Sequence, residues 1–287
     1  MSEKNGALLA LEDVVFSYPD GEPALNGISI SIHPGERIAV LGNNGAGKST
    51  FFLVCNGILR PQQGRLYLSG EELRYTKSEL MALRRKVGIV FQDADSQIIA
   101  STVESEISFG PMNLRLPRQE VERLVDSAVA QMDLEAYRQR APQYLSGGEK
   151  KRVSIADILA MSPEMVLFDE PTASLDPKNT ALLEETLEKL SDAGITLVVS
   201  THDVDFAYRF ADRAVVFSSG RIVADAPPVE VFADEQVVRE AGLKRPLLFD
   251  AVRLVQQAFP QLPQDAAPKT LEAFGQMLRA AQEAGTP

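Results

Sequence analysis

Two patterns of apolar residues along the chain predict two kinds of β-strand. Between residues 28 and 32 isoleucine alternates with serine, and Leu66 and Leu68 repeat this spacing before a Ser-Gly turn. Such alternation is typical of antiparallel strands with one buried face. Other apolar runs are continuous, at residues 38–41, 87–91, 166–168 and 196–199. Continuous runs separated by helical segments indicate a parallel sheet covered on both faces, so we expect an α/β fold.

A helical repeat occupies the middle of the chain. Apolar residues from Val121 to Met132 recur at the spacing of an amphipathic helix, with Pro117 at its first turn. We interpret residues of about 96–160 as a helical insert in the α/β core. Prolines recur after Asp225, which predicts short helices in an added module at residues 229–287.

Composition narrows the class of protein. The 287 residues are 45% hydrophobic, and the formal net charge is −11. A negative molecule repels phosphate backbones, which argues against general nucleic-acid binding. The apolar runs are far shorter than the about 20 residues of a membrane-spanning helix. The single Cys55 excludes an internal disulfide framework and a zinc site of several cysteines, and we interpret it as a core residue.

A glycine-rich motif follows the apolar run at residues 38–41. It reads Gly42-Asn43-Asn44-Gly45-Ala46-Gly47-Lys48-Ser49 and fits the G-x-x-x-x-G-K-S/T pattern of a phosphate-binding loop. The glycines let loop N–H groups point at phosphate oxygens, at the start of a helix predicted for residues 50–59. We expect Lys48 to reach the β- and γ-phosphates and Ser49 to bind Mg²⁺. A glycine-rich turn that binds nothing is the alternative, but it accounts for neither Lys48 nor Ser49.

Two carboxylates end another apolar run. Asp169 and Glu170 follow residues 165–168, where adjacent carboxylates are costly to desolvate without a cation nearby. We expect this strand to lie next to the phosphate loop, with Asp169 holding Mg²⁺ through water and Glu170 polarising an attacking water. A simple cap before the turn at Pro171 is the alternative. Together with the loop, the pair predicts a nucleoside-triphosphate hydrolase or kinase of the P-loop class.

A third motif distinguishes among P-loop proteins. Leu145-Ser146-Gly147-Gly148-Glu149, ahead of a predicted helix at residues 150–161, resembles the signature motif of the ATP-binding-cassette family. Glycines at a helix start expose N–H groups to an anion, and the Ser146 hydroxyl can donate to a phosphate. In this family the phosphate belongs to ATP held by the opposite subunit, so one chain carries two half-sites. A plain helix cap is the alternative for this motif taken alone.

Further elements of the family occur in order along the chain. Tyr18 resembles the aromatic residue that stacks on adenine, Gln92 the glutamine that contacts Mg²⁺ and the attacking water, and His202 the histidine that contacts the γ-phosphate. Ser174-Leu175-Asp176 resembles the D-loop that crosses the dimer interface. Taken singly, Tyr18 has a buried strand tyrosine as its alternative interpretation. A single histidine at a strand end is usually structural, and only the ordered set supports a catalytic role for His202.

The resemblance implies a fold and a set of site residues. The fold is a RecA-like P-loop core with an antiparallel β subdomain and an α-helical insert at residues 5–228, then a helical dimerisation module at 229–287. The implied catalytic residues are Glu170, His202 and Gln92, and the implied metal ligands are Ser49, Gln92 and Asp169. The implied ATP contacts are Tyr18, Asn43, Asn44, Gly45, Ala46, Gly47, Lys48, Ser49, Thr50, Ser146, Gly147, Gly148, Glu149 and Asp176. Two chains would close head to tail on two ATP molecules.

Residues 91–98 and 102–114 are similar to segments of the ATPases of energy-coupling-factor transporters, above all those of the cobalt-transport type. This likeness implies a peripheral ATPase at the cytoplasmic face of the cell membrane, with a transmembrane coupling protein docked near Gln92–Glu106. A substrate-specific membrane component completes the implied complex. The docking stretch contains no Lys or Arg and four carboxylates, Asp93, Asp95, Glu104 and Glu106. We interpret it as an acidic groove for a basic helix, with a solvated acidic face as the alternative.

Several alternatives stay open at this point. The transported solute is expected to be cobalt or nickel, with a vitamin as the alternative, and the second ATPase is another copy or a close paralogue. An ATPase acting on DNA or ribosomes is less consistent with a sequence that shows neither long coiled-coil or zinc insertions nor a second cassette. Apolar residues of the tail either contact the second ATPase or pack on their own core: Leu254, Phe259, Leu271, Phe274 and Leu278.

Overall fold

The computed structural model describes residues 6–19, 21–173 and 175–284. Its strands form a four-stranded and a six-stranded sheet. The strands are β1 (Leu9–Ser17), β2 (Pro23–Ile32), β3 (Arg37–Leu41), β4 (Gln63–Leu68), β5 (Glu71–Glu72), β6 (Val87–Val90), β7 (Met165–Asp169), β8 (Thr196–Ser200), β9 (Arg213–Ser218) and β10 (Arg221–Ala226).

The smaller sheet is antiparallel and has the strand order β2-β1-β4-β5. Ile28, Ile30 and Ile32 of β2 are buried while Ser29 between them is exposed. Leu66 of β4 is buried on the same side of the molecule, in a shared hydrophobic core. The alternating pattern therefore predicted β2 and β4 correctly, whereas β1 between them and β5 at the edge were not predicted.

The larger sheet has the order β10-β9-β3-β8-β7-β6, and all its pairs are parallel except β10 with β9. Every residue of β6, β7 and β8 is buried, as continuous apolar runs predict for strands covered on both faces. The predicted α/β fold with a P-loop core is confirmed. The carboxyl ends of β3, β8 and β7 meet at one edge, which places the phosphate loop and the carboxylates together.

The helices lie on both faces of this sheet and beyond it. They are α1 (Lys48–Cys55), α2 (Lys77–Lys86), α3 (Val103–Asn113), α4 (Arg118–Gln131), α5 (Gly147–Leu159), α6 (Pro177–Asp192), α7 (Val204–Phe210), α8 (Pro228–Ala233), α9 (Glu235–Glu240), α10 (Leu247–Ala258) and α11 (Leu271–Ala284). Helices α3, α4 and α5 fall in the region predicted as an insert and contact one another. Pro117 is the N-cap of α4 and not part of its first turn. Among the described residues, no helix is long and apolar enough to cross a bilayer.

The first half of the predicted C-terminal module belongs to the core of the larger sheet. Phe232 and Phe249 are buried and meet the ring of Tyr208 in α7 edge-on. Lys269 donates a 2.6 Å hydrogen bond to the carbonyl of Ala211, directly after α7. The tail is therefore tied to the helix that follows His202.

The one cysteine of the chain lies at the C-terminal end of α1. Cys55 is fully buried, and its burial raises the pKa of the thiol well above the ordinary value. A thiol with these properties is unreactive, in agreement with its interpretation as a core residue.

Candidate active site

The phosphate loop connects β3 to α1 and has the backbone conformation that its glycines permit. Gly42, Gly45 and Gly47 have φ angles of 140°, 79° and 110°, which side chains rarely tolerate. A Cβ at Gly42 would collide with the carbonyl oxygen of Phe217, and one at Gly47 with that of Ala24. Helix α1 begins at Lys48 without a side-chain cap, so the N–H groups of its first turn remain available to an anion.

Lys48 is the buried cation of this loop. Its side chain is 5% exposed, and Nζ donates to the carbonyl oxygens of Gly42 at 2.7 Å and Asn43 at 3.2 Å. The Glu170 carboxylate lies 3.8 Å away. Burial lowers the pKa of Lys48, while Glu170 and Asp169 act in the opposite direction. A partly desolvated cation beside backbone N–H groups is suited to bind phosphate.

The two predicted carboxylates reach the loop across an intervening strand. We expected β7 to lie next to the phosphate loop, but β8 separates it from β3. Ser200, at the end of β8, bridges this gap: its hydroxyl donates to Asp169 Oδ1 at 2.6 Å and accepts from the backbone N–H of Glu170 at 2.9 Å. Asp169 and Ser200 are paired residues of the parallel ladder.

Glu170 and His202 are in direct contact. His202 Nε2 lies 2.5 Å from Glu170 Oε1. Glu170 has a φ of 43°, a left-handed conformation that costs on the order of 1 kcal/mol for a residue other than glycine. The half-exposed His202 comes two residues after the end of β8. The structure thus brings Lys48, Asp169, Glu170 and His202 to one edge of the sheet.

Tyr18 lies beside the start of α1. Its hydroxyl is 3.3 Å from the Thr50 hydroxyl, and Phe16 meets its ring at 87°. Tyr18 is 45% exposed, so part of the ring is open to a planar ligand. Asn43, Asn44, Gly45 and Ser49 are exposed at the same loop, whereas Ala46, Gly47, Lys48 and Thr50 are buried.

Gln92 follows β6 and is exposed. Its backbone is fixed by Lys151 of α5, whose Nζ donates to the carbonyls of Phe91 at 2.9 Å and Gln92 at 2.7 Å. Burial lowers the pKa of Lys151 to about 8, although Asp93 and Asp169 counteract this effect. The lysine therefore joins the insert to the loop that carries Gln92.

The signature and D-loop residues form a second group. Ser146 is the N-cap of α5 and shares a capping box with Glu149, whose carboxylate accepts from the Ser146 N–H at 2.7 Å and hydroxyl at 2.8 Å. Gly147 and Gly148 form the first turn of α5. A Cβ at Gly148 would collide with the amide of Asn179.

Asn179 links this group to the D-loop. Its side chain donates to Asp176 Oδ2 at 2.6 Å, and its backbone N–H donates to Asp176 Oδ1 at 2.9 Å. These bonds lower the pKa of Asp176. Ser174 of the predicted D-loop lies outside the described residues. The signature residues and the D-loop residues thus form one group on a shared surface. The phosphate loop belongs to the first group, with Asp169, Glu170 and His202.

The acidic stretch of the insert differs from its interpretation as a free acidic groove. Asp95 is 2.6 Å from Lys150, and Glu104 is 2.7 Å from Arg138. Glu106 is buried and accepts from two backbone N–H groups, those of Ile99 at 2.9 Å and Ala100 at 2.6 Å. Two of the four negative charges counted along the sequence are therefore compensated by cations outside the stretch, and a third is bound by backbone N–H groups within it.

The sequence interpretation missed three residues that organise the site: Ser200, Lys151 and Asn179. Ser200 was recognised only as a strand residue before His202. Lys151 stands on the helix face of Ser154, Ile155 and Ile158, and a lysine on such a buried face was a detectable signal. Asn179 gave no signal, because its role depends on a contact between distant segments.

A phosphate loop with a buried lysine, a carboxylate pair beside it and a separate serine-glycine helix start together define an ATP-binding cassette. The profile of the ABC transporter family matches residues 25–173. The chain belongs to this family, binds ATP and is an ATPase.

Within the family the chain is similar to ATP-binding subunits of the energy-coupling-factor type. It is 47% identical over 251 residues to the energy-coupling factor transporter ATP-binding protein EcfA of Methanothermobacter thermautotrophicus, covering 88% of this chain and 81% of that protein. It is 43% identical over 278 residues to the cobalt import ATP-binding protein CbiO of Rhodobacter capsulatus, covering 97% and 98%. The predicted resemblance to this group is confirmed.

Two solved structures share the fold. CbiO1 of Clostridium perfringens, described as part of the ABC transporter complex cbiONQ, aligns with a TM-score of 0.73 at 37% identity, over 89% of this chain and 97% of that one. The ATP-binding cassette MJ0796, a dimer bound to ADP and phosphate, aligns with a TM-score of 0.69 at 29% identity, over 77% and 98%.

Proposed function

We propose that the chain powers cobalt uptake as a peripheral ATPase at the cytoplasmic face of the cell membrane. The observation that carries this proposal is the likeness to CbiO of Rhodobacter capsulatus, which extends over 97% of the chain and so includes the C-terminal helices. Nickel is the second candidate ion. A vitamin is the alternative solute, because the EcfA relatives are named for an energy-coupling factor transporter and not for a metal ion.

Uptake by reconstituted vesicles tests the solute. The full chain would be combined with the membrane subunits that copurify with it, and ATP-dependent accumulation of labelled Co²⁺, Ni²⁺ and vitamins would be measured. Accumulation of Co²⁺ supports the proposal. Accumulation of a vitamin alone establishes the alternative, and copurification of DNA or ribosomes in place of membrane subunits contradicts transport.

In this proposal the nucleotide lies between Tyr18 and the phosphate loop. Adenine stacks on the exposed part of the Tyr18 ring, and the backbone of residues 43–50 surrounds the phosphates. Lys48 moves from the loop carbonyls to the β- and γ-phosphates, which is a short shift for a side chain that already lies in the loop.

We further propose that Mg²⁺ accompanies ATP. Ser49, Asp169 and Gln92 supply hydroxyl, carboxylate and amide oxygens, the hard ligands that this ion prefers. Among the described residues no group of three or more histidine, cysteine or acidic side chains could hold a metal alone, and Mg²⁺ commonly takes further ligands from phosphates. The ion would neutralise charge that develops on the phosphate oxygens. Loss of activity with EDTA and its recovery with Mg²⁺ test this assignment.

For hydrolysis, Glu170 is proposed to accept a proton from the attacking water. Its contact with His202 at 2.5 Å fixes the carboxylate near the phosphate loop, as a general base requires. His202 then contacts the γ-phosphate, and Gln92 orients the water. Asp169, held by Ser200, would be a ligand of the magnesium ion.

The second group of residues is proposed to act on ATP bound by a second subunit. Ser146, Gly147 and Gly148 present a hydroxyl and a helix N-terminus, Glu149 holds Ser146, and Asp176 stands at the same surface. The dimeric MJ0796 structure supports this arrangement. A homodimer is favoured because one chain holds both groups, and a paralogue is the alternative partner.

The C-terminal module, proposed for residues 229–287 after a cassette of residues 5–228, is the candidate dimer contact. Residue 5 and residues 285–287 lie outside the described part. Leu254, Phe259 and Leu271 are 67%, 51% and 77% exposed, while Phe274 and Leu278 are half-buried. Apolar side chains this exposed on amphipathic helices suit contact with a second copy.

The coupling protein is proposed to dock near Gln92–Glu106, with a substrate-specific membrane component completing the complex. Asp93 is exposed, and so are the apolar side chains of Ile99, Phe109 and Met112. After compensation of Asp95 and Glu104, we attribute more of the docking surface to these apolar residues than to its net charge.

A further inference from the structure

The C-terminal module approaches the phosphate loop through the turn that ends α9. Gly242 has a φ of +61°, its N–H donates to the carbonyl of Arg239 at 3.2 Å, and the N–H of Leu243 donates to that of Val238 at 2.9 Å. These bonds close the helix end in the manner of a left-handed glycine cap. The preceding Ala241 is 1% exposed, so the turn is anchored in the hydrophobic core.

The turn contacts the side chain of Asn43. A Cβ built on Gly242 would collide with Asn43 Nδ2 and would lie 3.1 Å from Oδ1 and 3.2 Å from Cγ. The Asn43 amide therefore lies directly against the Gly242 backbone. A second contact supports the same edge, since the Ser218 hydroxyl donates to the carbonyl of Glu240 at 3.4 Å, and the carbonyl of its neighbour Phe217 lies against Gly42.

Asn43 also shapes the loop through its backbone. Its carbonyl oxygen accepts from the N–H of Ala46 at 3.1 Å and from Lys48 Nζ at 3.2 Å. A displacement of Asn43 would therefore move the lysine and the curl of the loop together. Phosphate binding depends on N–H groups that converge on one point, so it is sensitive to such a displacement.

We propose that Gly242 is a positioning residue for ATP binding. It leaves room for the Asn43 amide, holds it in place, and so lets the C-terminal module set the affinity of the phosphate loop for ATP. The effect belongs to binding and not to the chemical step, because Glu170 and His202 follow the ends of β7 and β8 and contact each other, not this turn. The claim is independent of which solute is transported.

The chain offers a matched control for Gly242→Ala. Gly194 follows α6 with a φ of +84°, and a Cβ there meets nothing within 4 Å. Its N–H donates to Ser191 and the N–H of Ile195 to Leu190, the same hydrogen-bond pattern as at Gly242. Alanine at either position incurs the left-handed strain, but only at Gly242 does it also push on Asn43.

ATP titration of the purified full chain, with KM and kcat in parallel, tests the proposal. We expect Gly242→Ala to weaken ATP binding about tenfold and raise KM equally with kcat almost unchanged, and Gly194→Ala to stay within about twofold of wild type. Equal affinities of the two alanine variants would overturn the proposal.

A second substitution separates positioning from a loss of fold. In the Gly242→Ala background, Asn43→Ala removes the amide that the new methyl group displaces, so the double variant should bind ATP as Asn43→Ala alone does. A double variant that is weaker than Asn43→Ala by the full Gly242→Ala effect would contradict the proposal. If Gly242→Ala does not fold, Asn43→Gln lengthens the amide against an unchanged turn. It should weaken ATP binding, and wild-type affinity would overturn the proposal.

Discussion

The sequence indicated a function for carboxylates in two regions, the carboxyl edge of the six-stranded sheet and the acidic stretch at residues 93–106. The structure gives these carboxylates different surroundings. At the sheet edge, Asp169 and Glu170 stand beside Lys48, Ser200 and His202 in the candidate active site. In the insert, Asp95 and Glu104 are paired with Lys150 and Arg138, and Glu106 caps backbone N–H groups.

The difference shows for which carboxylates the neighbouring residues in the sequence are enough to infer a role. A carboxylate that follows a buried strand has its position fixed by that strand. A net charge counted over a loop says little, because the compensating cation can come from anywhere in the chain: Lys150 is 55 residues from Asp95. The experiments below test this difference and are ordered from the largest to the smallest expected effect on activity or stability.

Glu170→Gln is expected to have the largest effect. It removes the proposed base while keeping the size and the hydrogen-bonding capacity of the side chain, so ATP should still bind and promote dimer closure. Turnover should fall by about 10²- to 10⁴-fold, the contribution of a general base. Steady-state ATPase assays and ATP titration check both parts. Near-normal turnover would remove the contrast between the two regions, since Glu170 would then be no more catalytic than Glu104.

Asp157→Asn probes a carboxyl of the insert. The pKa of Asp157 is raised from its ordinary value of 3.8 to about 7. Burial is the main cause, the neighbouring Glu106 acts in the same direction, and a hydrogen bond with Gln97 lowers the pKa. The folded chain therefore keeps this proton between these two values while the unfolded chain loses it, so stability falls as pH rises through this window.

The asparagine variant is neutral at every pH. Relative to wild type we expect it to gain about 4 kcal/mol in free energy of unfolding at pH 8 and little near pH 4. Urea denaturation at the two pH values measures this. An equal change at both pH values would contradict the raised pKa of Asp157.

Ser200→Ala tests the bridge between β7 and β8. The variant loses the hydrogen bonds to Asp169 and from the Glu170 N–H, and we expect kcat to fall about tenfold as both carboxylates lose orientation. Ser154→Ala is the matched control, because Ser154 is equally buried but its hydroxyl donates only within its own helix, to the carbonyl of Lys151. Equal kcat values for the two variants would show that the ladder alone positions the carboxylates.

The smallest effect is expected from the Asp95 and Lys150 pair. A double-mutant cycle with Asp95→Asn and Lys150→Gln should give a coupling of about 0.5 kcal/mol in free energy of unfolding, as exposed ion pairs do, and leave the ATPase rate of the isolated chain unchanged. A coupling of zero would show that Lys150 does not compensate the charge of Asp95. The interpretation of this stretch as an acidic groove would then apply.

The sequence was sufficient for residues whose positions follow from order along the chain. Asp169 and His202 lie at or just after the end of a strand that continuous apolar runs predict, and Lys48 ends the loop that follows another such strand. Parallel strands bring their carboxyl ends to one edge. Which strands and loops lie next to each other in space was not predictable in this way. That β8 lies between β3 and β7, and hence that Ser200 bridges them, depends on sheet order, and the contact of Gly242 with Asn43 depends on packing across nearly the whole chain.

The burial of Cys55 has a practical consequence for measuring motion. Because the only thiol of the chain is shielded and disfavours its thiolate, maleimide dyes will react with cysteines introduced elsewhere, and the native residue can stay in place. One dye would be attached to a cysteine in place of Asp95, and a second dye to a cysteine in place of Leu271. Energy transfer between the two dyes would then report nucleotide-driven changes in the distance between these positions. The chain is thus ready for single-molecule spectroscopy without a cysteine-free background.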